Sequence, residues 1–214
     1  MGRGPVGAPA IIRYVNNSLA SVDDVSGIDD VMVLIKTLTA SSSSTLSFVD
    51  GTSDVVLDNT YPIYKFVWIN IHPSADNTKI QFQGNAAGGS GFNETITSTS
   101  WYARHDESDT DTDFSYNTTN DLAQGTGFQT LFAATGTDND QCASGYMYLF
   151  NPSSTTFVKH FMAQNSTYSH NEFNYNEHTA GYFNTTSAID EIQFKMSSGN
   201  IDAGTIKLYG IKDS

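Results

Sequence analysis

The stretch Ile189 to Lys212, IDEIQFKMSSGNIDAGTIKLYGIK, constrains the fold more than any other part of the chain. Ile192, Phe194 and Met196 recur at every second position with Gln193 and Lys195 between them, and Ile206 and Leu208 do the same around Lys207. A period of two puts each apolar set on one face of a strand, whereas a helix of 3.6 residues per turn would scatter it. The intervening SSGNIDAG is a cluster of turn formers. The reading is a β-hairpin that closes a sheet, with its last strand packed rather than frayed.

Composition extends this reading to the whole chain. Charged residues make up 15% of the 214, and Ser, Thr, Asn and Gly supply the remaining polarity. Ser, Thr and Asn compete for helical backbone groups and so favour strands and turns. Hydrophobic residues at 38% and aromatic residues at 12% suffice for a core. The length suits one all-β domain with an extension. With 23 acidic against 10 basic residues the net charge is -13. No basic stripe for nucleic acid is visible, and an anionic membrane would repel the chain. No apolar run approaches the ~20 residues of a membrane span, and MGRGPVGAPAIIRYVNNS does not resemble a signal peptide.

Residues 1 to 28 differ from the rest. They are Gly/Pro-rich at the start and hold Arg3 and Arg13 with no acidic residue before Asp23. Ile11, Ile12, Val15 and Leu19 fall roughly on one side of a short helix within 11–25. Such a segment is normally disordered unless held. It reads as an anchoring arm held by another subunit or a larger assembly, with Arg3, Ile11, Ile12, Arg13 and Tyr14 as its contacts; the alternative is an arm folded back on its own domain. The arm and a first strand occupy residues 1–40, and the display domain 41–214. Val31 to Ile35 is a continuous apolar run, read as a strand buried on both sides or beneath the arm.

Further strands are expected near Leu46–Phe48, Val55–Leu57, Tyr64–Ile71, Lys79–Gln83, Glu94–Arg104, Phe128–Ala134, Gly145–Phe150, Thr156–Met162 and Glu172–Tyr175. Asp50-Gly51 suggests a hairpin between the first two of these, and His105–Asp113 a polar surface loop. About ten short strands at regular spacing, with no repeat and no long helix after residue 28, mean a sandwich or barrel. Of these a two-sheet jelly roll is preferred.

Chemical motifs are few. Asp109, Asp111 and Asp113 are spaced like the start of a calcium loop, but Phe114 stands where an EF-hand needs Gly and Asn120 where it needs Glu. The five histidines show no zinc-protease spacing. The single Cys142 reads as a buried apolar side chain. No nucleophile elbow or P-loop occurs, and no cofactor is implied. The run QNSTYSHNEFNYNEH is too polar to be core throughout. With Trp101 it offers Tyr168, His170, Tyr175 and His178 as a glycan-binding surface or a subunit interface.

Three segments carry a family resemblance: GSGFNETITST (89–99), LFNPSSTTFVKHF (149–161) and AGYFNTTSAIDEIQFKMSSGNIDAGTIKLYGIK (180–212). Together they resemble the jelly-roll domains of virion proteins of tailed bacteriophages, especially marine and cyanobacterial ones, over about residues 44–214. The resemblance implies a non-enzymatic virion protein, commonly a homotrimer, acting as tail fibre, adhesin or capsid decoration and joined to other virion proteins through its arm. It brings no catalytic residues with it. A module for host-surface glycans and an envelope depolymerase are the alternatives.

Overall fold

The structure, a computed structural model, describes residues 12–15, 18–22, 31–132 and 134–213. The chain divides into two units, Met1–Val31 and Met32–Ser214. In the first, β1 (Ile12–Val15) pairs antiparallel with β2 (Ser18–Val22), Val15 lying opposite Ser18. The helix expected within 11–25 is therefore a hairpin. Ile12, Val15 and Val22 are β-branched and stiff, which favours the pleated conformation. Ile12, Arg13 and Tyr14 lie on β1, and Arg3 and Ile11 lie outside the described residues.

The second unit contains β3 (Met32–Thr39), β4 (Leu46–Val49), β5 (Ile63–Pro73), β6 (Ile80–Ala86), β7 (Ile96–Asp106), β8 (Thr112–Tyr116), β9 (Gln129–Thr130), β10 (Ala143–Phe150), β11 (Lys159–Tyr168), β12 (Phe173–Phe183), β13 (Ile189–Met196) and β14 (Ile201–Ile211). They form an eight-stranded sheet, β3-β14-β5-β10-β11-β12-β7-β8, and a four-stranded sheet, β4-β13-β6-β9. Every pairing is antiparallel, and the two sheets make a β-sandwich. Four of the pairings are nested: β3 with β14, β4 with β13, β5 with β10, and β6 with β9.

One core joins the sheets. Phe48 of β4 meets Phe66 of β5 edge-on at 5.3 Å, and Phe82 of β6 meets Phe161 of β11 at 5.0 Å and Phe183 of β12 at 6.1 Å. Phe194 of β13 packs on Phe48, Phe66, Trp68 and Phe82. All of these rings are fully buried. Burial contributes about 1.5–3 kcal/mol per large side chain, and edge-on ring geometry adds to it.

The alternation at 189–212 places Ile192, Phe194, Met196, Ile206 and Leu208 in this core. The two strands are not a hairpin, however. β13 belongs to the four-stranded sheet and β14 to the eight-stranded one, so residues 197–200 cross between layers. Each strand turns its apolar face toward the other sheet; side-by-side pairing would leave only one layer.

Asp50-Gly51 is likewise a turn without a hairpin. Gly51, at φ 71°, donates its N–H to the Val55 carbonyl, while β4 pairs with β13 and Val55 and Leu57 are buried without joining a strand. The run at 31–35 is an edge strand, and Val31, Met32 and Leu34 are exposed rather than covered on both sides. The acidic segment at 105–113 is shorter as a loop than expected, because β7 continues to Asp106 and β8 begins at Thr112.

Candidate functional site

The larger sheet outgrows its partner. β11, β12, β7 and β8 extend it beyond β10, and the segment between β8 and β10 supports the inner face of this extension. Leu122 N–H donates to Ser98 Oγ, Ser98 Oγ donates to Gln129 Oε1, and Asn165 Nδ2 donates to the Leu131 carbonyl. The 164–178 run turns Asn165, Thr167 and Glu177 inward, all almost fully buried, and Asn165 reaches the loop through its Nδ2.

The outer face is built from residues that the register aligns across the whole sheet. One row runs Thr37, Lys207, Val67, Tyr146, Gln164, His178, Trp101, Tyr116 from β3 to β8. A second runs Leu34, Tyr209, Lys65, Tyr148, Met162, Ala180, Thr99. A third contains Met32, Ile211, Ile63 and Phe150 on one side and His160, Tyr182 and Thr97 on the other. No row contains an Asp or Glu, although the chain has 23 of them. Leu34 is 52% exposed and Met162 56%.

Two shallow apolar depressions flank Met162. One, of about 470 Å³, lies between Thr97, His160, Ala180 and Tyr182. The other, of about 410 Å³, lies between Tyr146, Tyr148, Phe150 and His178. Along β10 the rings of Tyr146, Tyr148 and Phe150 follow one another at 5.5 and 6.2 Å, and the Lys65 ammonium sits 4.8 Å from the first and 5.1 Å from the second.

Trp101 and His178 meet on this outer face. Their rings are stacked at 4.1 Å and 8°, and Phe114 approaches Trp101 at 5.3 Å. Burial lowers the His178 imidazole below its ordinary value. Tyr168 stands opposite Asn174, where burial and then the neighbouring Glu107 raise its phenol.

His170 and Tyr175 are apart from these, on a polar pocket at the inner side of the extension. That pocket, of about 400 Å³, is also lined by Lys79, Tyr102, Tyr116, Asn117 and Asn120. The five residues singled out by sequence therefore fall into an outer pair, an inner pair and Tyr168. Tyr146, Tyr148, Met162 and Tyr182 escaped the sequence reading. For Tyr146 and Tyr148 the signal is present in ASGYMYLF, where Met147 and Leu149 fill one face and the two tyrosines the other, a strand apolar on both sides.

The acidic loop is organised around Asp106. Its carboxylate accepts from Ser108 Oγ, Thr110 Oγ1 at 2.6 Å, and the Thr110 and Asp111 N–H groups at 2.8 and 2.9 Å. Those bonds, the Ser108 hydroxyl foremost, hold it well below the usual carboxylate range. Asp109, Asp111 and Asp113 turn to separate partners, His105, Arg104 and Tyr102. Among the described residues no group of three or more His, Cys, Asp or Glu is placed to hold a metal ion. Cys142 is half-buried, and burial followed by the charge of Asp140 raises its thiol.

No family model, curated protein or solved structure matches the chain.

Proposed function

We infer that the chain is a non-enzymatic structural protein of a virion, a jelly roll that assembles as a homotrimer. Its N-terminal segment anchors it to the particle, and residues 41–214 are displayed as a tail fibre, adhesin or capsid decoration. The nested pairing supports the jelly-roll reading. A ribbon whose first strand pairs with its last, second with second-last and so inward, then rolls into two sheets, gives this strand order, with β7, β8, β11 and β12 as additions. The virion assignment rests on the resemblance of residues 89–99, 149–161 and 180–212.

The observation that carries assembly is the outer face. A broad apolar and aromatic surface without a carboxylate, in a chain of net charge -13, has the composition of an interface core. Its only full cations in the aligned rows are Lys65 and Lys207. A two-fold contact pairs this face with itself and offers Lys65 and Lys207 no carboxylate from the aligned rows. A cyclic head-to-tail contact presents them to the acidic remainder of a neighbour, and three subunits form the smallest such ring.

Light scattering of the purified protein tests assembly. The expected mass is three times the 23.3 kDa chain, falling to one chain mass in Met162→Glu with unchanged far-UV circular dichroism. A monomeric wild type would overturn the trimer. Immunogold labelling of particles with antibody to residues 41–214 tests the virion assignment: gold on head or tail is expected, and unlabelled particles would overturn it.

A further inference from the structure

The polar pocket on the inner side of the extension touches the outer face only at Tyr116, on its rim, and has its own chemistry. Tyr102 comes from β7, Tyr175 from β12 and Tyr116 from the end of β8, with the first two rings 5.4 Å apart. The Tyr102 hydroxyl donates to Asp113 at 2.9 Å and the Tyr116 hydroxyl to Asp121 at 2.7 Å. With their protons committed, both phenol oxygens present lone pairs as acceptors. Tyr175 is the converse: its oxygen accepts from Arg104 Nη1 at 3.3 Å, so its proton remains to be donated.

Lys79 sets the polarity. Its Nζ donates to Asn120 Oδ1 at 2.8 Å. A lysine cannot accept, so this bond fixes which end of the Asn120 amide is oxygen. It leaves Nδ2 as a donor with no hydrogen-bond partner, on a side chain that is 2% exposed. An amide held this deep without a partner is costly. No carboxylate lines the pocket. Lys79 thus brings a cation to a cavity whose lining holds no Asp or Glu, with the Asn120 amide closed off behind it, inside a protein that is acidic elsewhere.

We propose that this pocket binds a uronic-acid-containing saccharide. The carboxylate is received on the Lys79 and Asn120 side, and the sugar ring lies against Tyr102 and Tyr175. The volume suits a sugar unit. Tyrosines contribute flat apolar surface with a polar tip, matching a pyranose ring edged by hydroxyls. The charge-assisted contact to Lys79 is the stronger kind of hydrogen bond and sets acidic sugars apart from neutral ones. A neutral saccharide would leave the ammonium without an anionic counterpart.

Calorimetric titration of the intact protein with oligomers of galacturonate, glucuronate and mannuronate tests this, with the methyl-esterified oligomers as neutral counterparts of the same shape. At least one acidic oligomer should bind, its ester at least tenfold more weakly, and added salt should weaken the acidic one. Lys79→Met and Asn120→Ala should each lower affinity at least tenfold. Asn120 is buried, so its variant can misfold; half-exposed Lys79 keeps the test decisive, with circular dichroism and the assembled mass unchanged. No binding of any acidic oligomer, equal binding of ester and acid, or wild-type affinity in Lys79→Met would each overturn the assignment. None of these outcomes alters the mass or particle-labelling results, so the two readings fail separately.

Discussion

Gly145 is the residue at which β10 depends most on having no side chain. It stands opposite Trp68 on β5 and Asn165 on β11. A Cβ there would press into the Gln164 carbonyl oxygen and lie 2.7 Å from Asn165 Oδ1 and 2.9 Å from Trp68 Nε1. The first obstacle is backbone and cannot rotate away. Gly145→Ala should therefore destabilise the protein by about 1–3 kcal/mol, the usual range for an overpacked interior. Urea unfolding followed by tryptophan fluorescence measures this, and an unchanged midpoint would mean that β10 shifts freely. The sequence hides this dependence, because a glycine in ASGYMYLF looks like any weak strand residue until the partners across two pairings are known.

At the scale of elements, the chain reveals faces better than partners. Alternation in 189–196 and 201–211 identifies which residues are buried, since a period of two settles that locally. It does not say which strand lies alongside, and the four-residue link at 197–200 reads equally as a hairpin turn or as a crossover between sheets. The β7–β8 hairpin shows the converse difficulty. Thr112-Asp113-Phe114-Ser115-Tyr116 alternates, but both large residues point outward, so no apolar inward set marks it as a strand. What holds it is Asp106, which gathers four donors from the turn. Asn at this position keeps one acceptor oxygen and replaces the other with a donor. Asp106→Asn should accelerate amide exchange at Thr110 and Asp111 and along β8, while β5 and β14 keep their protection. Uniform acceleration throughout would show that the turn is coupled to global stability. The polar pocket was legible only at His170 and Tyr175: Lys79 and Asn120 are far from them in sequence, and only the fold brings them to one cavity.

For the whole molecule, the question is how a chain of net charge -13 responds to acid. Relief of general repulsion favours the folded form as pH falls, but exposed charges are screened beyond about 8 Å at physiological salt, so specific groups decide the profile. His178 is a base whose folded value is depressed by burial below the ordinary 6.5. Between those two values the unfolded chain binds more protons than the folded one, so stability falls as pH drops through this interval. Asp106, Asp113 and Asp58 are acids held below the ordinary 3.8, by the Ser108, Ser115 and Thr60 side chains respectively as the leading cause. Their contribution is complete above that value and is lost below it. Asp190 acts in the opposite sense, since burial raises it and its protonation favours folding. Stability should therefore be level between about pH 6.5 and 8, decline modestly below pH 6.5, and fall steeply below about pH 4, where three carboxylates outweigh one. Urea midpoints measured from pH 3 to 8 test this, with His178→Gln expected to remove the upper decline and leave the lower one. His178 stacks on Trp101 on the outer face, so protonation there also places a charge in the proposed subunit contact. The assembled mass should consequently fall over the same interval as the upper decline, and in His178→Gln it should hold to lower pH; a mass that drops identically in both proteins would remove His178 from the interface.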